Sequence, residues 1–192
     1  MEWDIPTKEK VLYLTFDDGP DPEATVFVLD ELKKQGAHAT FFCVGENVQK
    51  YPAIYRRILD EGHQVGNHTH NHLNGKNVND AMYLNNIKEA SQFIDTDLFR
   101  PPYGRMTGFQ KKNVSKAMGV KRARIIMWDV LSGDFDKKNS AEQSLENVLI
   151  NSKPGSIVVF HDSEKCLKNV SEILPKILQH FHEKKYLFEK IN

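Results

Sequence analysis

Short apolar runs recur along the chain, and the segments between them show a different, helical spacing of apolar residues. The runs are rich in β-branched and aromatic residues, which is typical of buried parallel strands. We predict seven strands, at residues 11–16, 39–44, 63–66, 98–100, 124–128, 157–160 and 186–188. The runs around Val65 and Phe99 are short, and they are assigned as strands mainly because they fit the regular spacing of the other runs.

The segments between the runs predict about six helices. One apolar stripe extends from Tyr83 to Ile94 and a second from Ile173 to Phe181, with Pro175 expected near the helix start or at a bend. Ser140 and Gln143 have the spacing of a capping box that begins another helix. Three glycines mark helix ends, namely Gly36, Gly62 and Gly119.

The alternation of strands and helices continues without a long linker, so residues 1–192 are interpreted as a single α/β domain around a parallel sheet. A complete eight-stranded (β/α) barrel uses about 250 residues. The shorter chain therefore leaves two architectures open, a shortened, incomplete barrel and a doubly wound open sheet.

Charge and composition exclude several functions. Twenty-six basic residues balance 26 acidic ones, which argues against a protein that binds nucleic acid or an anionic membrane. No apolar run approaches the ~20 residues of a membrane span, and the N-terminus lacks the pattern of a signal peptide. The two cysteines fit neither a disulfide scaffold nor a cysteine-based zinc site, and Cys43 is interpreted as a small buried residue.

Polar and charged residues follow five of the predicted strands. Both architectures place the active site at the carboxyl ends of the strands, where these residues would converge. Core packing does not explain five such strand ends, so we expect a catalytic site there. The five groups are Asp17-Asp18, Asn67 to His72, Arg100 to Gly104, Trp128-Asp129 and His161-Asp162.

His68 and His72 have the spacing of two metal ligands on one turn. A lone pair of this kind is more often a polar surface loop, but the carboxylates of Asp17 and Asp18 at a neighbouring strand end favour a metal site that suits zinc. Adjacent residues leaving a strand face opposite sides, so one carboxylate could bind metal while the other exchanges protons. The side chain of His70 should diverge from those of the two ligands.

Other residues at these strand ends allow two interpretations each. Arg100 could orient a carboxylate or form a surface ion pair. His161 could be a general acid or a hydrogen-bonded imidazole close to the core. Trp128 and Phe135 fit core aromatics and walls of a substrate cavity equally well.

Five segments, in order, resemble the motifs of the polysaccharide deacetylase family (carbohydrate esterase family four, the NodB-homology domain). The resemblance spans about residues 10–190 and implies a distorted (β/α) barrel with about seven parallel strands, which selects the first architecture. The segments are Thr15 to Pro20, His68-Thr69-x-x-His72, Arg100 to Gly104, the segment around Trp128, and Val159 to Asp162.

The resemblance implies a metal-dependent hydrolase that removes acetyl groups from N-acetylated sugars of a polysaccharide or oligosaccharide such as peptidoglycan or chitin. A divalent metal, zinc first and cobalt or nickel as alternatives, would be held by Asp18, His68 and His72. No covalent nucleophile is needed, and the chain contains no G-x-S-x-G motif.

The resemblance also implies catalytic and substrate-binding roles. Asp17 would be the general base for the metal-activated water, Arg100 would hold Asp17, and His161 would protonate the leaving amine. The backbone N–H of Tyr103, with the metal, would stabilise the tetrahedral oxyanion. The residues expected to contact substrate are Pro102, Tyr103, Trp128, Phe135 and Val159.

The fourth motif departs from the family pattern. Many members have an Asp two residues after the position of Asp129 and a Trp further on, where this chain has Leu131 and Phe135. That Asp normally tunes the catalytic histidine. We therefore expect a lower pKa and a smaller protonated fraction for His161, unless Asp129 or Asp134 substitutes.

Three alternative functions stay open. They are an O-acetyl esterase acting on xylan-like substrates, a hydrolase of small amides, and a weakly active glycan-binding protein, the last suggested by Leu131. We expect a monomer whose partner is a glycan. The family's substrates commonly lie outside the cytoplasm, whereas no export signal is predicted, so a cell-envelope, secreted or cytoplasmic location is left open.

Overall fold

A curled sheet of seven parallel strands forms the centre of the computed structural model, which describes all 192 residues. The strand order is β5-β4-β3-β2-β1-β7-β6, and an eighth strand, β8, pairs with the start of β1. This α/β arrangement confirms the distorted barrel. The strands are β1 Val11–Asp17, β2 Thr40–Cys43, β3 Gln64–Asn67, β4 Leu98–Phe99, β5 Arg124–Ile125, β6 Val130–Leu131, β7 Ile157–His161 and β8 Leu187–Phe188.

Seven α-helices and one 3₁₀ turn, Pro102–Gly104, connect the strands. The capping box of Ser140 and Gln143 is confirmed, and Gly36, Gly62 and Gly119 adopt positive φ at helix ends as predicted. The helices are α1 Ala24–Lys34, α2 Gly45–Lys50, α3 Pro52–Asp60, α4 Asp80–Ala90, α5 Gly108–Met118, α6 Ala141–Asn151 and α7 Leu167–Glu183.

Two local predictions were wrong. The strand expected at 124–128 ends after Ile125, and the chain then forms β6 on the opposite edge of the sheet, where it pairs with β7. Of the two positions expected for Pro175, the one near the helix start is wrong, because Pro175 is the ninth residue of α7. The apolar stripe of α7 is buried on both sides of Pro175, so tertiary packing holds the helix across it.

Aromatic packing in the core stabilises the register of the three central strands. Phe16 of β1 stacks on Phe41 of β2 and on Phe160 of β7, with ring centroids 5.2 and 5.5 Å away. The register of this packing places Asp17 directly opposite His161 on the neighbouring strand. The last residues of the central strands therefore meet at one edge of the sheet.

The sheet stays open between β5 and β6, its two edge strands. Arg100, which follows β4, is fully buried, and its side chain donates to the carbonyls of Ile126 (3.2 Å) and Met127 (2.8 Å) in the segment that joins these edges. The same guanidinium also reaches β1, where Nη1 lies 2.7 Å from the hydroxyl of Thr15. Arg100 thus links the open edge to the centre of the sheet. None of the helices has the length and apolar character needed to cross a membrane.

Candidate active site

The carboxyl ends of the strands surround a cavity of about 620 Å³. Its lining includes the three predicted metal ligands, the predicted base and acid, and four of the five residues expected to contact substrate. Pro102 is the exception, because it is buried in the 3₁₀ turn and does not line the cavity. The predicted convergence of the strand ends is therefore present in the structure.

Asp17 ends β1 as a buried carboxylate that is held from one side. Its Oδ1 accepts a 2.7 Å hydrogen bond from Nη1 of Arg100, whereas Oδ2 lies 3.9 Å from Nε2 of His68. The Arg100 guanidinium packs on the ring of Phe42 at 4.0 Å. Burial lowers the pKa of Arg100, and the charge of Asp17 opposes that change. Of the two interpretations of Arg100, the structure shows the oriented carboxylate.

Asp18, His68 and His72 bring three ligand atoms within 4.8 Å of one another. Oδ1 of Asp18 lies 3.1 Å from Nε2 of His72 and 3.7 Å from Nε2 of His68. This oxygen is buried and accepts no well-aligned hydrogen bond. This carboxylate oxygen and the two Nε2 atoms are a donor set that fits a divalent cation.

The charge states of two ligands suit metal binding. Nδ1 of His68 lies 2.8 Å from the carbonyl oxygen of Arg100, so that Nδ1 carries the proton and Nε2 the lone pair. Burial is the main reason why the pKa of His68 falls to about 4. Burial would raise the pKa of Asp18, but contact with His72 and the nearby imidazoles lowers it below its usual range. At neutral pH His68 is therefore neutral and Asp18 ionised.

The loop that carries the two histidines is held by asparagines. Oδ1 of Asn67 accepts from the N–H of Thr69 at 2.8 Å, and Oδ1 of Asn86 accepts from the N–H groups of His70 (2.9 Å) and Asn71 (3.0 Å). Asn86 lies on α4 and was missed by sequence reasoning, because nothing in its local pattern distinguishes it from an ordinary helix residue.

His70 lies apart from the ligand group, as expected. Its ring stacks on Phe93, and its Nε2 lies 3.4 Å from Glu89. The middle histidine of the His-Thr-His-Asn-His segment therefore packs against α4 and the residues that follow it rather than facing the cavity.

His161 ends β7 beside a buried carboxylate that the sequence analysis named only as a candidate. Oδ1 of Asp134 lies 2.8 Å from Nδ1 of His161, and Oδ2 accepts from the backbone N–H of the same residue at 2.8 Å. Burial acts to lower the pKa of His161, but the hydrogen bond and charge of Asp134 raise it to about 9. Of the alternatives left open by Leu131, the structure shows that Asp134 substitutes, so the pKa of His161 is raised rather than lowered.

Asp129, the other candidate for this role, lies elsewhere. Its carboxylate accepts from the backbone N–H of Ile157 and from the hydroxyl of Ser156, both at 2.8 Å. These residues are at the start of β7, whereas His161 is at its end. Asp129 therefore stabilises the start of the strand and does not contact His161.

Asp162 holds the turn that follows β1. Its buried carboxylate accepts from the N–H of Gly19 (3.0 Å) and from the hydroxyl of Thr25 (2.6 Å). A Cβ at position 19 would lie 2.1 Å from Oδ2 of Asp162, so this close approach requires glycine. Burial raises the pKa of Asp162 well above its ordinary value, and the two hydrogen bonds oppose that change. The turn thereby fixes the chain that carries Asp17 and Asp18.

Aromatic side chains form much of the cavity wall. Tyr103, 61% exposed, has its ring centroid 4.7 Å from that of His72. Phe135 is 50% exposed and lies edge-on to His161 at 5.0 Å, so it belongs to the wall rather than the core. Trp128 lines the cavity and also packs against two core clusters. Val159 is buried and lines the same cavity.

Three polar residues of the lining were not predicted, namely Asn74, Arg105 and Lys165. They lie on connecting segments rather than at strand ends, which were the only positions that the sequence argument considered.

The sequence and the fold of this chain are similar to those of polysaccharide deacetylases. The family model described as polysaccharide deacetylase matches residues 4–123. A peptidoglycan-N-acetylglucosamine deacetylase of Bacillus cereus is 35% identical over 100% of this chain and 91% of its own length. The crystal structure of the Bc1960 peptidoglycan N-acetylglucosamine deacetylase, bound to a hydroxamate-type benzamide, superposes with a TM-score of 0.90 at 35% identity and covers 99% of this chain and 90% of that one. A mutant with restored activity of the pseudoenzyme BA3943 from Bacillus anthracis has a TM-score of 0.85 at 26% identity, covering 98% and 68% of the two chains.

Proposed function

Because the chain belongs to the polysaccharide deacetylase family, we propose that it is a metal-dependent hydrolase that removes acetyl groups from N-acetylated sugars of peptidoglycan. One observation supports this proposal most strongly. A single cavity brings together a carboxylate fixed by Arg100, a three-atom ligand group and an imidazole with raised pKa. Hydrolysis of an amide by water needs all three, because the carbonyl is a poor electrophile and the amine a poor leaving group.

Asp18, His68 and His72 would hold the divalent metal, with Zn²⁺ expected first and Co²⁺ or Ni²⁺ as alternatives. The support for this assignment is the unpaired Oδ1 of Asp18 and the Nε2 lone pair of His68. When bound, such a metal polarises the substrate carbonyl and lowers the pKa of water.

Asp17 would act as general base, with Oδ2 accepting a proton from the attacking water. Arg100 occupies Oδ1, so the carboxylate is held in one orientation with its second oxygen available. His161, with a pKa of about 9, is protonated at neutral pH and would donate its proton to the amide nitrogen as the C–N bond breaks. The products are acetate and the free amino sugar.

The remaining roles follow the family pattern. The backbone N–H of Tyr103, in a residue with φ of 60°, would stabilise the oxyanion, and Val159 and Trp128 would contact the acetyl methyl group. Phe135, beside His161 in the cavity wall, is proposed to contact the sugar. For Pro102 no such contact is proposed, because it is buried outside the cavity lining. We further propose a monomer that acts at the cell envelope, where peptidoglycan lies.

The test is acetate release from N-acetylglucosamine oligomers, peptidoglycan fragments and acetylxylan, using chelator-stripped enzyme before and after addition of Zn²⁺ or Co²⁺. We expect metal-restored release from the N-acetylated glycans. Release from acetylxylan alone would identify an O-acetyl esterase instead. No release from any substrate by metal-loaded protein would contradict the proposal and favour a small-amide hydrolase or a glycan-binding protein.

A further inference from the structure

A second depression, of about 400 Å³, opens beside the catalytic cavity and shares Lys165 with it. Three lysines line it, Lys137, Lys165 and Lys168, and we call this surface the lysine shelf. Lys165 lines the catalytic cavity together with His161 and also lines this depression, so the two spaces adjoin. A substituent on a sugar bound in the cavity can therefore reach it.

The lysine shelf carries uncompensated positive charge. All three lysines are exposed, and none forms an ion pair or a side-chain hydrogen bond within the protein. Glu172 is the single acidic residue of the lining. The first turns of α6 and α7 also border the depression, and the positive ends of their dipoles add to the potential.

Another flank of the catalytic cavity, which shares Lys165 with the lysine shelf, has charged residues that are mainly acidic. A depression of about 340 Å³ meets the cavity at Asp18, His72 and Lys165, and its lining also includes acidic residues. These further acidic residues are Asp21, Glu46 and Glu164. Since the whole chain has no net charge, this difference is a local separation of charge across the cavity. An anionic substituent is repelled from one flank and attracted to the other.

We propose that the lysine shelf binds carboxylate groups of the substrate glycan, so that the enzyme favours carboxylate-bearing N-acetylated glycans over neutral ones. The inference rests on the proposed deacetylase function and names the substrate class of the same site. In peptidoglycan the carboxylates belong to the lactyl ether of alternate sugars and to the attached peptides, whereas N-acetylglucosamine oligomers have none.

The test compares kcat/KM for two substrates of matched length, peptidoglycan glycan strands and neutral N-acetylglucosamine oligomers. The variant combines Lys137→Gln, Lys165→Gln and Lys168→Gln. We expect the ratio of the two kcat/KM values to fall about tenfold, mainly through KM for the anionic substrate, because each exposed ion pair contributes roughly a twofold effect. In wild type the ratio should also fall with added salt. Lys176→Gln, an exposed lysine of α7 outside both depressions, is the matched control.

The outcomes separate this inference from the proposed function. Two results would overturn the proposed role of the lysine shelf. One is an unchanged ratio of the two kcat/KM values in the triple variant. The other is a wild-type preference for peptidoglycan strands that persists after their carboxylates are amidated. Strands with the peptides removed distinguish lactyl from peptide carboxylates, and either source supports the proposal. If wild type releases acetate from neither substrate, the proposed function fails. Calorimetric binding of both glycans then tests the shelf independently, and equal affinity for the two would reject it.

Discussion

His68 and His161 line the same cavity, yet their pKa values differ by about five units, at about 4 and about 9. Burial lowers the pKa of both imidazoles. The difference comes from the partner of Nδ1, which is the carbonyl of Arg100 for His68 and the carboxylate of Asp134 for His161. One partner leaves a neutral imidazole, as the proposed metal ligand requires, and the other a cationic imidazole, as the proposed general acid requires. The charge state of each imidazole is thus set by the residue that bonds to its Nδ1.

The largest effect on the ligand side of this comparison is expected from Asp18→Asn. Removing the carboxylate should abolish tight metal binding. Acetate release should then fall about a thousandfold, because the bound metal lowers the activation free energy by several kcal/mol. Metal content after dialysis and acetate release measure the two effects. Asp17→Asn should lose activity but keep its metal. An Asp18→Asn protein that retains metal as wild type does would refute the ligand assignment.

For His161, Asp134→Asn should lower the pKa from about 9 towards its ordinary value, since burial persists while the hydrogen bond and charge of Asp134, the largest opposing contribution, are lost. The protonated ring is the active form, so activity is retained below this pKa and lost as pH rises through it. The alkaline limb of kcat/KM should therefore move from near pH 9 to acidic pH. At neutral pH the rate should fall at least several-fold, because only a minor fraction of His161 is then protonated.

Asp129→Asn is the matched control for Asp134→Asn, because Asp129 bonds to Ser156 and Ile157 rather than to His161. It should leave the alkaline limb in place. A profile that is the same in wild type and Asp134→Asn would show that Asp134 does not set the pKa of the acid. NMR titration of His161 provides a readout independent of catalysis.

A smaller effect is expected from Asn86→Ala, which removes the acceptor for two N–H groups of the loop that carries His68 and His72. Metal affinity should fall about 10- to 100-fold, which is the usual effect of removing hydrogen-bonding residues that position metal ligands. Asn86→Asp keeps an acceptor oxygen and should restore most of the affinity, and the exposed neighbour Asn85→Ala should have no effect. Lower thermal stability with unchanged metal affinity would show a purely structural role.

The smallest effect should come from Leu131→Asp. Because Asp134 already bonds to Nδ1 of His161, a further carboxylate in the partly exposed cavity wall should change kcat by no more than about threefold. Acetate release across the pH range measures this. A gain above about tenfold would mean that the leucine does limit the reaction, contrary to the comparison of the two histidines.

The long apolar runs made most of the sheet predictable, and the strand ends located the residues of the cavity. The two-residue strand β6 was missed because Val130 and Leu131 form no pattern on their own, and their place depends on pairing with β7. Asp134 was recognised as a candidate, but its contact with His161 depends on how residues 132–135 fold. The contacts of Asn86 and Lys165 likewise depend on tertiary geometry.

Arg100 bonds to Asp17, the proposed base, and also to the segment between the two edges of the open sheet. Losing one partner of a buried ion pair costs about 3–5 kcal/mol, against a total stability of roughly 5–15 kcal/mol for a domain. In the course of evolution, selection for folding alone would therefore preserve this arginine after selection for catalysis had ended. A diverged homologue that keeps the arginine therefore need not be active.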